Sequence, residues 1–307
     1  MIIVTGTKRS GTSMWMRILG AAGFPIIGDA FPGKWGETIR DANPGGFYES
    51  LLRRGVYFAT NPHPRTGVYL FPEQTDRHAV KVFIPGLIRS DRAFIGKVLA
   101  TMRPWREYVT SLERLYAMEH EAREKREGRT MPRPVRMPAA LEWWTENFSL
   151  VSDVLTRRYP IHMLAYESVL AEPDALIPEA IEWLGGGDVD AAVAVADPAS
   201  RTQKAAPETD PDPGIEPDVA RIFDALYAHV RDRRELTGDF IDELNATNER
   251  LAPRIAQALK AVRADAERRR AERRARRARE GAEAEAPADP TRDAALEERD
   301  EWLEEGM

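Results

Sequence analysis

A glycine-containing loop near the start of the chain has the residue types and spacing of an anion-binding site. Gly6 and Gly11 enclose a turn with hydroxyl and basic side chains, and residues 2–4 before it are apolar and β-branched. This order predicts a buried strand, a loop and a helix that begins at Thr12. In that arrangement the backbone N–H groups of the loop and the positive end of the helix dipole meet at one point. The sequence therefore predicts a site for a phosphate or sulfate group.

The loop is close to the phosphate-binding motif G-x-x-x-x-G-K-[ST] but differs from it in the position of its cations. The two glycines have the required spacing, whereas Thr12 stands at the lysine position of the motif. The basic residues Lys8 and Arg9 come earlier, inside the turn. An ordinary tight turn between a strand and a helix is the alternative interpretation. It would need the glycines but not two cations among several hydroxyl groups.

A second candidate anion site lies further along the chain. Residues 98–102 are predicted to be a strand, and Arg103 follows them directly. Phosphate-loop nucleotide hydrolases use an aspartate near the end of such a strand to hold Mg²⁺, so an arginine there indicates direct binding of an anion. Ser111 follows eight residues later, in a predicted helix. A salt-bridging arginine and a surface serine are the alternative interpretation.

Together the two elements resemble the sulfotransferase superfamily, in its bacterial form. The segment from Thr7 to Ser13 resembles the family's loop K/R-S-G-T-[ST], and the Arg103–Ser111 spacing resembles its 3′-phosphate-binding pair. The resemblance covers roughly residues 1–205. It implies that the protein transfers a sulfuryl group from 3′-phosphoadenosine 5′-phosphosulfate (PAPS) to a hydroxyl or amine acceptor and releases adenosine 3′,5′-bisphosphate (PAP). No metal ion is expected to be required.

The resemblance also assigns individual residues to the cofactor. The 5′-phosphosulfate is expected at Lys8, Arg9, Ser10, Gly11, Thr12 and Ser13, and the 3′-phosphate at Arg103 and Ser111. Tyr166 is expected near the adenine. Arg201 and Lys204 are candidates for further 3′-phosphate contacts, although the family's Arg-Lys-Gly order is absent there and a solvated loop is equally compatible. Arg9 is expected to contact the bridging oxygen, and because an arginine does not give up its proton, its role is electrostatic.

The general base is the point at which the chain departs from the family. The hormone- and phenol-type sulfotransferases use a histidine in K-T-H-x-P, and the corresponding segment here has Phe83 at that position. Three carboxylates in the long loop after the first helix are the candidate bases: Glu37, Asp41 and Glu49. We favour Glu49, because an Asn-Pro-Gly-Gly turn precedes it and a helix over residues 47–58 is predicted to begin beside it. A helix cap or a surface acid is the alternative for each.

The alternation of strands and helices predicts an α/β fold. Strands are expected at residues 2–4, 79–83, 98–102 and 161–165, and helices from Thr12, after Pro104 and over residues 139–158, 173–184 and 219–230. Alternation of this kind is typical of a parallel sheet that binds ligands at the carboxyl ends of its strands. We therefore expect a three-layer, P-loop-like fold with a central, mainly parallel sheet. The charged residues 120–138 are predicted to be a mobile loop.

The composition divides the chain into two predicted parts. Residues 1–235 are expected to be the sulfotransferase-like domain, and residues 236–307 a helical, charged and partly disordered tail. Apolar residues from Ile241 to Val262 have coiled-coil spacing, although Pro253 is expected to kink or restart the helix. Nine arginines follow between residues 263 and 279, and an acidic end follows them. The tail is interpreted as a solvated helix with a disordered end, with a homodimer helix or an anion-binding arm as alternatives.

The overall composition narrows the possible partners. The chain has 307 residues and a net charge of −6, so no general affinity for nucleic acid is expected. It contains no cysteine, which excludes disulfides and cysteine nucleophiles. No apolar run approaches the ~18 residues of a membrane span, and a strand at residue 2 leaves no room for a signal peptide. We therefore expect a cytoplasmic protein.

The acceptor is expected to be a small molecule, a carbohydrate or a peptide that bears the reacting group. Two other classes of function remain open at this stage. One is a P-loop nucleotide kinase or NTPase, which the missing lysine and the missing Mg²⁺ aspartate disfavour. The other is a non-catalytic nucleotide-binding scaffold protein, which the absent histidine keeps possible.

Overall fold

The structure, a computed structural model, describes residues 1–32, 43–196 and 214–283, and side chains as far as residue 275. Within these ranges five strands form one parallel sheet in the order β2-β3-β1-β4-β5. The strands are β1 (Ile2–Gly6), β2 (Ile26–Ile27), β3 (Ala79–Lys81), β4 (Lys97–Met102) and β5 (Ile161–Ala165). The predicted α/β fold with a central parallel sheet is therefore confirmed.

Helices follow most of the strands. They are α1 (Thr12–Ala21), α2 (Ile84–Arg89), α3 (Trp105–Glu127), α4 (Ala139–Arg157), α5 (Tyr166–Ala171), α6 (Pro173–Leu184), α7 (Val189–Ala194), α8 (Pro217–Arg231) and α9 (Gly238–Glu283). Short 3₁₀ helices lie at Leu51–Arg54, Pro72–Gln74 and Arg92–Phe94. No helix in the described part of the chain is both long and apolar enough to span a bilayer.

Both faces of the sheet are covered by helices, which gives the predicted three layers. Alternate residues of a strand point to opposite faces. Ile2 and Val4 of β1 accordingly belong to one buried cluster with residues of α1 and α6. Ile3, which points the other way, belongs to a cluster with residues of α2 and α4. The apolar run at the start of the chain is thus explained by a strand that is buried on both sides.

An aromatic cluster fixes α4 against the end of β4. Phe223 of α8 stacks on Trp144 with ring centroids 4.9 Å apart, and it also contacts Trp105 and Trp143. The indole Nε1 of Trp143 donates a hydrogen bond of 2.9 Å to the backbone carbonyl of Arg103. The side chains of α4 that lie beside Trp143 are therefore held close to the carboxyl edge of the sheet.

Two local predictions are wrong, and each has a physical reason. The helix expected over residues 47–58 is absent: Glu49 pairs with Asp29 as an antiparallel bridge, and Gly55, with φ of 111°, follows the short 3₁₀ turn. The mobile loop expected over residues 120–138 is wrong for residues 120–127, which are the last part of α3, whereas residues 128–138 contain no helix or strand. Charged side chains one turn apart, such as His120 and Glu124, are compatible with a long solvated helix.

The sequence predicts a kink or a restart of the helix at Pro253. The long helix α9 continues through this residue without a restart. Its first turns carry Phe240, Leu244 and Leu251, which are buried in the cluster formed by α3, α4 and α8. The chain forms two compact units, of which the first contains residues 1–133 and 137–258. The boundary predicted at residue 235 stays a prediction, but removing residues from 236 onward would also remove part of this buried cluster.

The second compact unit contains residues 134–136 and the chain from residue 259 onward. Within it, the carboxylate of Asp265 accepts a hydrogen bond of 3.0 Å from the backbone N–H of Val135. The same carboxylate accepts a bond of 2.7 Å from Arg269 Nε and also pairs with Arg268. At least two residues of the predicted arginine run therefore have partners within the helix.

Candidate anion-binding site

The carboxyl ends of four strands place polar residues at one edge of the sheet. The glycine loop follows β1, Arg103 follows β4 and Tyr166 follows β5, while Lys81 is the last residue of β3. Because parallel strands all end at the same edge, these residues come together although they are far apart in the sequence. The structure thus brings Arg103 and Tyr166 to the loop, and the predicted position of Tyr166 near an adenine stays a prediction.

The loop is tightly held by its own hydroxyl groups and by β4. Ser10 Oγ donates to the carbonyl of Thr7 at 2.7 Å, and Thr101 Oγ1 donates to the carbonyl of Ser10 at 2.6 Å. Gly11 has φ of 99°, and a Cβ at that position would overlap the ring of Tyr166. Glycine is therefore required at this position both by its conformation and by the close approach of an aromatic ring.

Arg9, Arg103 and Ser111 form the positive centre of the site. Arg9 adopts a left-handed conformation with φ of 65°, and its Nε donates to Ser111 Oγ at 3.4 Å. Arg103 Nη1 donates to the carbonyl of Arg9 at 3.3 Å. Burial and the charge of Arg103 lower the pKa of Arg9. Two positively charged guanidinium groups thus lie close together with little access to water. An anion bound at this point would offset the repulsion between them.

Glu107 is a partner of Arg103 that the sequence did not predict. Its Oε2 accepts hydrogen bonds of 3.1 and 3.0 Å from Nε and Nη2 of Arg103. The guanidinium also lies 5.5 Å from the ring centre of Tyr166. In this arrangement Arg103 is directed at Glu107 and at the backbone of Arg9. Its contacts are those of a residue that positions the loop, and binding of a 3′-phosphate would require it to share its donors.

Lys8 lies apart from this positive centre, although it precedes Arg9 in the loop. Its Nζ is 3.4 Å from Oε1 of Glu142 and 3.5 Å from the hydroxyl of Tyr116. Burial lowers the pKa of Lys8, but the charges of Glu142 and its neighbours outweigh burial and raise it. Sequence reasoning missed Glu142. The signal that could have indicated it is the spacing of Glu142 and Glu146, which places two carboxylates one turn apart on α4.

Glu49, the favoured candidate base, is enclosed by two cations. Lys81 Nζ lies 2.9 Å from its Oε1, and Arg53 Nη1 lies 2.8 Å from its Oε2. Burial acts to raise the pKa of Glu49, but the charges of Lys81 and Arg53 hold it below its ordinary value. Only 3% of the residue is exposed. These contacts favour a structural role for Glu49 over that of a base. The assignment of Glu49 as the base stays a prediction.

The same ion pairs connect Glu49 to the helix that follows the glycine loop. Lys81 Nζ also donates to Ser13 Oγ at 3.2 Å and to the carbonyl of Phe47 at 3.0 Å. Ser13 in turn donates to the carbonyl of Phe47 at 3.2 Å. Lys81 therefore joins β3, the start of α1 and the segment around Glu49, and it brings a further cation near the loop.

The remaining predicted site residues have the following positions. Thr12 is buried at the first turn of α1, and Phe83 immediately precedes α2 with its ring centre 5.6 Å from Lys81 Nζ. The candidate bases Glu37 and Asp41 and the candidate phosphate contacts Arg201 and Lys204 lie outside the described residues.

Comparisons with known proteins find a similarity among solved structures but none at the level of sequence. No protein-family model matches the sequence, and no curated protein matches it. Among solved structures, a sulfotransferase from Mycobacterium tuberculosis is similar, with a TM-score of 0.40 and 16% sequence identity. The similarity covers 74% of this chain and 76% of that chain.

Proposed function

We propose that the protein is a PAPS-dependent sulfotransferase that moves a sulfuryl group to a hydroxyl or amine acceptor and leaves PAP. The observation that carries the proposal is the meeting of Arg9, Arg103 and Ser111 at the glycine loop. These are the residues that the resemblance assigns to the two anionic ends of the cofactor. Their contacts are compatible with one site that holds both ends.

The polar residues at the ends of the neighbouring strands favour sulfuryl transfer over Mg²⁺-dependent phosphoryl transfer. β3 ends at Lys81, and Arg103 directly follows β4. Each of the two strands next to β1 therefore has a cation at its carboxyl end. A Mg²⁺–nucleotide site needs a carboxylate near such a strand end, and the two carboxylates described there, Glu49 and Glu107, are each paired with one of these cations. Fixed cations can instead stabilise the charge that gathers on a leaving phosphate.

Different groups of the loop would bind the 5′-phosphate and stabilise the charge on the leaving oxygen. PAPS, when bound, supplies an activated sulfuryl group whose leaving oxygen belongs to the 5′-phosphate. The backbone N–H groups of Gly11, Thr12 and Ser13 would hold that phosphate at the start of α1. Arg9 would stabilise the charge on the leaving oxygen. Lys81, which contacts Ser13, adds positive charge on the other side of the loop.

The first prediction concerns the nucleotide that binds. PAP is expected to bind in EDTA, and more tightly than ATP binds with Mg²⁺, because the site offers cations where a metal-dependent enzyme has carboxylates. Isothermal titration calorimetry with both nucleotides measures this directly. Mg²⁺-dependent ATP binding without measurable PAP binding would contradict the proposal and favour a kinase or NTPase. PAP binding without turnover of PAPS on a broad acceptor panel would favour the scaffold protein.

A further inference from the structure

Glu107 is the acidic partner of the arginine to which the function proposed above assigns the 3′-phosphate. It lies in the first turn of α3, and its Oε2 accepts hydrogen bonds of 3.1 Å from Nε and 3.0 Å from Nη2 of Arg103. Only 8% of the Glu107 side chain and 4% of the Arg103 side chain are exposed. The attraction between the two charges is therefore screened much less than it would be between side chains on the surface.

Several further contacts fix the position of Arg103. Its backbone carbonyl accepts the hydrogen bond of 2.9 Å from Trp143 Nε1, and its Nη1 donates to the carbonyl of Arg9 at 3.3 Å. Its guanidinium carbon also lies 5.5 Å from the ring centre of Tyr166. An anion that binds Arg103 therefore meets a guanidinium that turns away from Glu107 only if these other contacts break as well.

A phosphate bound at Arg103 would share the guanidinium with Glu107. An arginine side chain has five N–H groups, and at least three of those of Arg103 already donate to Glu107 or to the carbonyl of Arg9. The phosphate and the carboxylate would lie close together, because both would accept from one planar group. Their repulsion would be strong where there is little water. Glu107 would therefore offset part of what the phosphate gains from Arg103.

We propose that Glu107 is a positioning residue that sets the affinity for the 3′-phosphate: it holds Arg103 in place when no nucleotide is bound and opposes the 3′-phosphate when one is. This role rests on the sulfotransferase function proposed above, because it needs a ligand with a phosphate at that end. The site then binds PAP more weakly than its cations alone would allow, and the product leaves sooner after each transfer. Glu107 acts through Arg103, so its effect falls on nucleotide binding and release.

Glu107→Gln is expected to bind PAP about tenfold more tightly than the parent, which corresponds to the lower end of the usual contribution of a charge-assisted contact. Glutamine keeps the length of the side chain and an oxygen that accepts from Arg103, but it lacks the negative charge. Adenosine 5′-phosphate, which has no 3′-phosphate, is expected to bind parent and variant about equally. If Glu107 served only to hold Arg103 in place, the same substitution would weaken PAP binding, so the two roles predict changes of opposite sign.

Calorimetric titration in EDTA with PAP and with adenosine 5′-phosphate measures both affinities. The dissociation of labelled PAP after addition of excess PAP is expected to be about tenfold slower for Glu107→Gln, because affinity differences between variants of one site arise mainly in dissociation. Asp224→Asn is the matched control, since it removes the acidic partner of Arg106, a neighbouring arginine of α3, where the Asp224 side chain is 51% exposed. It is expected to leave both affinities unchanged.

A second variant keeps the test decisive if the first does not fold. Glu107→Gln removes a buried charge partner of Arg103, so its thermal midpoint without nucleotide is expected to fall. Glu107→Asp keeps the charge but withdraws it by one methylene group, and its affinity for PAP is expected to lie between those of the parent and Glu107→Gln.

The outcomes separate this role from the proposed function. Unchanged or weaker PAP binding by the folded variants, or an equal gain for PAP and adenosine 5′-phosphate, would overturn the role of Glu107 and leave the proposed function standing. No PAP binding by the parent would overturn the proposed function and this role with it.

Discussion

Arg9→Ala is expected to lower kcat for sulfuryl transfer by about 10²–10³-fold, the usual cost of removing one preorganised donor from a developing negative charge. Arg9 lies in the glycine loop, held by Ser111 at its Nε and by Arg103 at its carbonyl. These contacts fix its position before the reaction, so its charge acts without reorganisation. PAP release from PAPS with an acceptor panel gives kcat for parent and variant.

Arg9→Lys is the control that separates charge from shape. It keeps a cation but replaces the planar guanidinium with a compact ammonium, so an intermediate rate is expected. The thermal midpoint of Arg9→Ala is expected to change little, because the variant also relieves the repulsion between Arg9 and Arg103. A variant without Arg9 that retains the parent's kcat would show that the loop does not stabilise the leaving group.

Glu49→Gln is expected to destabilise the fold by about 3–5 kcal/mol, because it leaves Lys81 and Arg53 as buried charges without their carboxylate. At about 2–4 °C per kcal/mol, the thermal midpoint should fall by roughly 6–20 °C. Differential scanning calorimetry of parent and variant measures the change. Glu121→Gln, at an exposed position of α3, is the matched control and is expected to leave the midpoint unchanged.

The pH dependence of stability gives a second test of Glu49. Lys81 and Arg53 hold its pKa below the ordinary value in the folded state. Its contribution is therefore fully present above the pKa of the unfolded chain and is lost as the pH falls through the lower, folded pKa. Glu49→Gln should lack this acid-sensitive part. An unchanged thermal midpoint together with a large fall in kcat would instead restore Glu49 as the base.

The fold was predictable because its signals are local. Residues 2–4, 98–102 and 161–165 are short apolar runs next to helical patterns, and strands occur at all three places. β2 was not predictable, since it consists of Ile26 and Ile27 alone in a segment rich in turn residues. Glu49 was misplaced in a helix because its conformation depends on pairing with Asp29, which no local pattern reports.

The site was predictable only in part, for a related reason. The glycine loop has a sequence pattern of its own, and its spacing to Arg103 and Ser111 could be compared with a known family. The partners of these residues come from other segments: Glu107 binds Arg103, and Glu142 binds Lys8. Charged residues on helices usually face water, so their sequence positions alone do not reveal contacts that packing creates.

The structure also changes how the tail should be tested. Leu244 and Leu251 are almost completely buried in the first compact unit, and that unit ends at Ala258. A chain shortened after residue 258 keeps these contacts, whereas one shortened after residue 235 loses them. The longer form is therefore the one in which PAP binding without the remaining tail should be measured. A homodimer formed through the tail stays a prediction.

The central claim is that the site holds a nucleotide by a phosphate at each end, and comparison of PAP with adenosine 5′-phosphate tests it most directly. The two ligands differ only in the 3′-phosphate. Calorimetry in EDTA is expected to show PAP binding about ten- to hundredfold more tightly, because a charge-assisted contact contributes about 1.5–3 kcal/mol. Arg103→Ala should remove most of this difference. Equal affinity of the parent for both nucleotides would contradict the account.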